Sequence, residues 1–284
     1  MWERELTEPS GIAHLAGGAF AVVGDEHTRS LWIVRPADER VDAIRWPRGK
    51  DAELDDLEAV VRWDERTLLA TCSLGRTKNK GKSKPERGRL ARIRFDEGLT
   101  AVESIDVLDG VREAVLRRLA DSELSLDEVG ESRPGRGGLN IEGLARVGER
   151  LFFGLREPAL PDGGGVPVLE LALGEDGFDD GAELRFGPLH VLPARPGEGI
   201  RSMCEFGARL IVLLGPETAD DAVEFRLVTW KPGAPVATPV ELPGWSALVR
   251  PEGIELVGEE LFVVQDLGAE AAGRRLVRFP WPAD

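Results

Sequence analysis

One short phrase recurs five times along this chain, and it limits the possible folds more than any other feature. Each copy places a small or charged residue before a small residue and an aliphatic one, and a turn and an apolar run follow. The copies are Pro9-Ser10-Gly11-Ile12, Leu57-Glu58-Ala59-Val60, Ile141-Glu142-Gly143-Leu144, Ile200-Arg201-Ser202-Met203 and Pro251-Glu252-Gly253-Ile254. A unit of this size cannot bury its own apolar face, so neighbouring copies must pack together, as in propellers and solenoids.

The composition favours short strands joined by many turns. The chain contains 34 glycines and 19 prolines, scattered between short apolar runs. Each of the first four repeats holds four such runs, which is typical of an antiparallel meander. We therefore predict an all-β propeller of five blades, each a four-stranded antiparallel sheet, with six blades as the alternative. The repeats follow one another without a linker, so residues 1–284 are predicted to form a single domain.

The fifth repeat holds only three predicted strands before the chain ends. Residues 2–7 precede the first repeat and have no other strand with which to pair. An N-terminal strand that completes the last blade would close the ring and remove two open sheet edges. We therefore predict that residues 2–7 supply this strand.

Residues 109–138 interrupt the repeat pattern and form a predicted insertion. Val111, Val115 and Leu119 recur at helical spacing with charged residues between them, which predicts a helix near residues 111–120. A loop with glycine and proline follows. Two placements remain open: the insertion caps one face of the propeller, or it covers part of its outer surface.

Charge and hydropathy restrict the possible partners. The formal net charge of −15 opposes general binding to nucleic acid or to anionic lipid and makes cations the more natural partners. The first residues lack the apolar segment of a secretion signal, and no apolar run reaches the roughly 18 residues of a spanning helix. We expect a cytoplasmic protein without membrane contact. Cys72 and Cys204 are predicted to be buried, reduced thiols.

The repeated phrase also predicts a site on the axis. In a propeller the innermost strand of each blade runs along the central channel, so the residue that begins this strand lies near the axis. These five residues, here called the axial ring, are Ser10, Glu58, Glu142, Arg201 and Glu252. Carboxylates about 8 Å apart would repel by roughly 2 kcal/mol per pair at an effective dielectric constant of about 20.

Two arrangements would offset this repulsion. Arg201 can pair with a carboxylate, or Glu58, Glu142 and Glu252 can share a calcium ion, helped by oxygen atoms of Asn140, Asp55 or Asp56. A structural alternative has equal weight: each glutamate accepts hydrogen bonds from backbone N–H groups of the adjoining blade.

A second set of polar residues follows the second strand of the repeats. Asp25, Arg156 and Asp266 are predicted to lie at one mouth of the channel and to bind a ligand together with Arg201 and Asn140. The basic loop, residues 76–89, carries seven positive charges. It is either a phosphate or acidic-partner site or, for most of its lysines, a solvated hairpin extension.

Several motifs resemble those of the bacterial family called domain of unknown function 3616. They are Thr71-Cys72-Ser73, Arg76-Thr77-Lys78, Lys84-Pro85-Glu86-Arg87, Leu139-Asn140-Ile141-Glu142-Gly143-Leu144, Phe153-Gly154-Leu155-Arg156, Gly199-Ile200-Arg201, Leu214-Gly215-Pro216 and Pro251-Glu252-Gly253-Ile254 with Asp266. The resemblance covers nearly the whole chain and implies a propeller without an assigned activity. More distantly, the Glu-Gly-aliphatic phrase is similar to that of calcium-dependent propeller hydrolases, the esterase-like phytases and gluconolactonases. That resemblance implies calcium ligation by Glu58, Glu142 and Glu252, although Arg201 departs from it.

Two functions are compatible with these residues. The first is a binding propeller whose polar axial pocket takes a small molecule or a protein without turnover. The alternative is a calcium-dependent hydrolase of a phosphoester or lactone, with Arg201 or Arg156 holding the substrate anion. The chain contains no G-x-S-x-G elbow, no P-loop and no H-E-x-x-H motif, so the common hydrolase and nucleotide routes lack sequence support.

Overall fold

A computed structural model gives the fold. It describes residues 6–25, 28–46, 52–122, 124, 126–160, 163–173, 178, 184, 186–218, 223–268 and 273–282. Within them, nineteen strands form five antiparallel sheets in which consecutive strands pair. The five sheets are the blades of a propeller, which confirms the predicted architecture.

The strands follow the chain blade by blade. Blade 1 contains β1 (Pro9–His14), β2 (Phe20–Gly24), β3 (Ser30–Arg35) and β4 (Arg40–Arg45). Blade 2 contains β5 (Leu57–Arg62), β6 (Thr67–Cys72), β7 (Leu90–Phe95) and β8 (Val102–Leu108). Blade 3 contains β9 (Asn140–Val147), β10 (Arg150–Glu157), β11 (Val166–Ala172) and β12 (Phe186–Leu192). Blade 4 contains β13 (Glu198–Phe206), β14 (Arg209–Pro216), β15 (Arg226–Trp230) and β16 (Thr238–Val240).

Blade 5 has three strands within the described residues: β17 (Pro251–Val257), β18 (Glu260–Gln265) and β19 (Leu276–Pro280). The predicted N-terminal closing strand falls mainly on residues 1–5, which lie outside the described residues. The first described residue, Leu6, is fully buried and belongs to one apolar cluster with Val264 and Leu276 of blade 5. This part of the chain therefore packs where the closing strand was predicted.

The inner strands form a closed ring. Strand β1 contacts β5, β5 contacts β9, β9 contacts β13, β13 contacts β17, and β17 contacts β1 again. The strand faces between neighbouring blades are apolar and almost completely buried, so the cores lie between the sheets. Every inner strand begins at the same end of the channel. The five axial-ring residues therefore lie close together.

The predicted helix is confirmed as α1 (Val111–Ala120). Its apolar stripe, Val111, Val115 and Leu119, is fully buried and packs into the cluster shared by blades 2, 3 and 4. The helix contacts β12, the outermost strand of blade 3, so it covers the outer surface. The loop after it reaches inward, where the backbone N–H of Gly135 donates to Glu157 at 2.6 Å.

Two smaller predictions concern thiols and membrane spans. Cys72 and Cys204 are buried and free, as predicted. Among the residues that the structure describes, no helix has the length and apolar character needed to cross a membrane.

Candidate functional site

The five axial-ring residues share one irregularity of backbone pairing. In each inner strand, the residues before and after the ring position pair with consecutive residues of the second strand, so the ring residue itself is skipped. The skipped residues are Ser10, Glu58, Glu142, Arg201 and Glu252. An extra residue of this kind is a β-bulge, which re-aims a side chain and is common beside functional sites. Here the bulge turns five side chains toward the channel.

The small residue after each ring position allows the inner strands to approach closely. A Cβ atom on Gly11 would lie 3.1 Å from the Cα atom of Ala59, and one on Gly253 would lie 3.0 Å from the Cα atom of Gly11. Larger side chains here would push the blades apart. The third residue of the phrase therefore has a packing role, while the second residue, the axial-ring residue, faces the channel.

A cavity of about 530 Å³ opens where the inner strands begin. The whole axial ring lines it, together with Asp25, Arg156 and Asp266 from the ends of second strands. The structure thus brings together every predicted ligand-binding residue except Asn140. The buried amide of Asn140 instead donates to Oε1 of Glu142 at 3.0 Å and holds that carboxylate in place.

Arg201 is the centre of a buried ionic network. Its Nε lies 3.1 Å from Oε2 of Glu142, and its guanidinium also donates to Oε2 of Glu252. Arg156 contacts the other oxygen of Glu142 through Nη1 at 2.8 Å. Burial opposes ionisation, but the two arginines outweigh it and lower the pKa of Glu142. Glu142 is therefore a carboxylate shared by two guanidinium groups.

Glu58 lies in a different environment, although its backbone position is equivalent. Its residue is only 6% exposed, and its carboxyl group has no hydrogen bond or ion pair with any residue in the described part of the chain. Burial raises its pKa well above the usual value for a glutamate, and the neighbouring charges of Glu142 and Asp56 raise it further. Glu58 therefore holds a proton to higher pH than an ordinary glutamate and faces the cavity.

The residues present do not fit the predicted calcium site. Both oxygens of Glu142 and one of Glu252 contact guanidinium groups, and Asp56 pairs with Arg87 at 2.8 Å. No group of three or more acidic, histidine or cysteine side chains among the described residues is arranged to hold a metal ion. Of the two arrangements that would offset the repulsion between the carboxylates, the structure contains pairing by Arg201. Calcium ligation by Glu58, Glu142 and Glu252 remains a prediction that these contacts oppose.

The backbone-tie alternative is also absent from the axial ring. Glu142 and Glu252 take side-chain donors, and no described backbone N–H donates to the carboxyl groups of Glu58, Glu142 or Glu252. Glutamates elsewhere do form such ties: Glu157 accepts from Gly135, and Glu255 accepts from His14 at 3.1 Å.

The basic loop divides into structural and cavity-facing parts. Arg87 pairs with Asp55 and Asp56, and Arg89 pairs with Asp109 at 2.8 Å, so both arginines hold the loop to the propeller. Lys78, in contrast, lines the cavity. The loop is held over this mouth because Arg133 donates to its carbonyl groups at residues 78 and 79.

The lining residues that sequence reasoning missed include Glu8, Lys78, Phe225 and Arg250. Arg250 pairs with Asp266 at 3.0 Å. The one sequence signal for Arg250 is its position immediately before the fifth copy of the phrase. Lys78 stands among lysines that are predicted to be solvated, and Phe225 precedes a strand at a position that the repeats do not share.

Comparison with solved structures supports the fold. The PQQ-bound aldose sugar dehydrogenase of Streptomyces coelicolor is 14% identical, with a TM-score of 0.51 over 97% of this chain and 94% of that chain. A glucose dehydrogenase is 14% identical, with a TM-score of 0.51 over 98% and 97% of the two chains. A putative gluconolactonase is 14% identical, with a TM-score of 0.45 over 96% and 73%. At this identity the likeness to the two dehydrogenases shows the fold alone, and the gluconolactonase adds no argument at its lower TM-score.

No curated protein sequence matches the chain significantly. The sequence profile of one family does match, over residues 25–243, a range that includes three of the five axial-ring positions, Glu58, Glu142 and Arg201. This match covers well over half of the chain. The chain therefore belongs to the family described as protein of unknown function DUF3616.

Proposed function

We propose that the axial cavity binds a small, uncharged ligand with several hydroxyl groups. Glu58 carries this proposal, because its buried carboxyl group faces the cavity without a hydrogen-bond partner among the described residues. A ligand hydroxyl group can bind this carboxyl group in either protonation state, since a hydroxyl group both donates and accepts hydrogen bonds.

The rest of the lining supports an uncharged ligand. Arg156 and Arg201 are balanced by Glu142 and Glu252, and Arg250 is balanced by Asp266. The charges within these pairs offset one another; Glu8, Asp25 and Lys78 also line the cavity. Within the described residues, however, Nη2 of Arg156 and Nη1 of Arg201 have no acceptor, so they supply fixed donors at the cavity. Donors and acceptors that point from several strands suit a polyol.

The alternative, calcium-dependent hydrolysis of a phosphoester or lactone, has no comparable support. It needs the glutamates that the arginines already occupy. The sugar dehydrogenases with the same fold are too distant to transfer a substrate, so the proposal rests on the cavity lining.

Titration calorimetry with myo-inositol and D-glucose tests the proposal. We expect at least one of them to bind, and Glu58→Leu to weaken binding by roughly tenfold, the value of one or two hydrogen bonds of about 1 kcal/mol each. Glu58→Gln keeps a donor and an acceptor and should bind nearly as well as the original chain. Glu260→Leu, at a half-exposed position of β18 outside the cavity, is the matched control. Equal binding by Glu58→Leu, or no binding of either polyol, would refute the proposal.

Glu58→Gln should also change the pH dependence of stability. The folded protein raises the pKa of Glu58 above 4.5, so this carboxyl group is least destabilising at low pH, and stability is lost as the pH rises through the folded pKa. Glutamine does not titrate. We expect the variant to be more stable than the original chain at pH 8, with the difference shrinking toward pH 4. Urea unfolding at several pH values measures this; a difference independent of pH would contradict it.

A further inference from the structure

The opposite mouth of the channel repeats the geometry of the axial ring with different residues. Four positions after the ring residues of the first four blades stand His14, Arg62, Arg146 and Glu205, and blade 5 contributes Glu255. All five line a second cavity of about 540 Å³. One residue from each inner strand therefore faces each end of the channel.

The charges of this second mouth are separated into two halves. Arg62 and Arg146 come from the adjacent blades 2 and 3, and Glu205 and Glu255 come from the adjacent blades 4 and 5. Within the described residues, neither arginine lies within 4.0 Å of a carboxylate oxygen. The first mouth differs, because its arginines and glutamates contact one another directly.

Other contacts keep the two halves apart. Arg146 lies over the ring of Trp63 at 4.1 Å and donates to the carbonyl groups of Gly148 and Trp63 at 2.7 and 2.5 Å. Glu255 accepts the backbone N–H of His14 on the neighbouring blade at 3.1 Å. Arg146 and Glu255 are thus fixed before any ligand arrives, which reduces the entropy lost on binding.

The arginines of one half influence the pKa values of the two glutamates in the other half, although the groups are not in contact. Burial raises the pKa of Glu255 to about 7, while the His14 N–H and the charge of Arg62 act against that rise. Burial also raises the pKa of Glu205, and Arg146 opposes this. Both carboxyl groups would therefore be stabilised in their charged form by a cationic group placed closer than the arginines.

We propose that this second mouth binds a small zwitterion, with its carboxylate toward Arg62 and Arg146 and its ammonium group toward Glu205 and Glu255. A ligand with one charge satisfies only one half. A zwitterion whose charges span the gap satisfies both, and it fills a site whose own charges do not pair. This site is separate from the proposed polyol site and goes beyond that function.

Titration calorimetry with a series of ω-amino acids tests the proposal. Glycine, β-alanine, γ-aminobutyrate and 5-aminovalerate differ only in the distance between their charges, and acetate and methylammonium carry one charge each. We expect at least one amino acid to bind, with acetate and methylammonium at least about tenfold weaker. Failure of all four amino acids to bind, or equal affinity for a singly charged ion, would overturn the proposal.

Two variants locate the site. Glu205→Gln, at the exposed rim, and Arg62→Gln should each weaken binding of the best amino acid by about tenfold or more. Glu58→Leu, in the axial cavity, should leave it unchanged, and Glu205→Gln should leave polyol binding unchanged. Loss of amino-acid binding in Glu58→Leu would place the amino acid in the axial cavity and not in the second mouth. That result would refute the proposal independently of the polyol result.

Discussion

Replacing Arg201 with glutamine should lower the free energy of unfolding by about 3–5 kcal/mol, the usual effect of removing one partner from a buried ion pair. Arg201 is 7% exposed and contacts both Glu142 and Glu252, which are themselves largely buried. Without the guanidinium group, the two carboxylates lose their shared partner, and Glu142 keeps its ion pair with Arg156. Urea unfolding monitored by tryptophan fluorescence measures the change, and a loss below about 1 kcal/mol would show that the network is not a stabilising one.

Two further variants separate this effect from the general loss of an arginine. Arg278→Gln removes an arginine whose side chain is 69% exposed and lies 3.3 Å from Glu260, so it should change stability by less than about 1 kcal/mol. Glu252→Gln combined with Arg201→Gln removes one of the two stranded carboxylates. The double variant should therefore be more stable than Arg201→Gln alone, as expected for coupled positions.

Gly199→Ala should destabilise the protein by about 1–3 kcal/mol and also weaken polyol binding. A Cβ atom on Gly199 would lie 2.2 Å from the carbonyl oxygen of Arg156 and 3.0 Å from its Cα atom. These are backbone atoms, so the two blades must move apart at the residue that supplies a cavity donor. Urea unfolding and polyol titration on the same preparation measure both effects.

Gly187→Ala is the matched control for this substitution. Gly187 lies in β12 at the outside of blade 3, and an added Cβ atom would meet only the carbonyl oxygen of Glu170, at 3.6 Å. That is an ordinary van der Waals contact, so stability and ligand binding should be preserved. If Gly199→Ala behaved like Gly187→Ala, the close approach of blades 3 and 4 would have no role in the site.

The local sequence pattern was sufficient for most of the fold. Helix α1 has the predicted bounds because its apolar residues recur at helical spacing without strand-like alternation. The four meanders were predictable because each strand is a short apolar run between turn residues. The N-terminal closing strand was inferred from an unpaired sheet edge, and residues 1–5 lie outside the described part of the chain.

The chemistry of the site was less accessible. Asn140 has a side chain that could bind a ligand, but its amide donates its hydrogen bond to Glu142, two positions away. Lys78 resembles its solvated neighbours in the sequence, and only the folded loop places it at the cavity. The charge-separated second mouth was also missed, since the residues four positions after the ring form no recognisable motif.

The sequence by itself determined which residues reach the axis, because the phrase that carries Glu58, Glu142, Arg201 and Glu252 recurs at the start of every inner strand and a bulge forms there each time. Only the tertiary structure decided what each charge contacts. Arg201 and Glu252 are 51 residues apart, and their pairing depends on the distance between blades. For the same reason equivalent glutamates differ: Glu142 lies beside two arginines, whereas Glu58 lies among carboxylates and keeps its proton to higher pH.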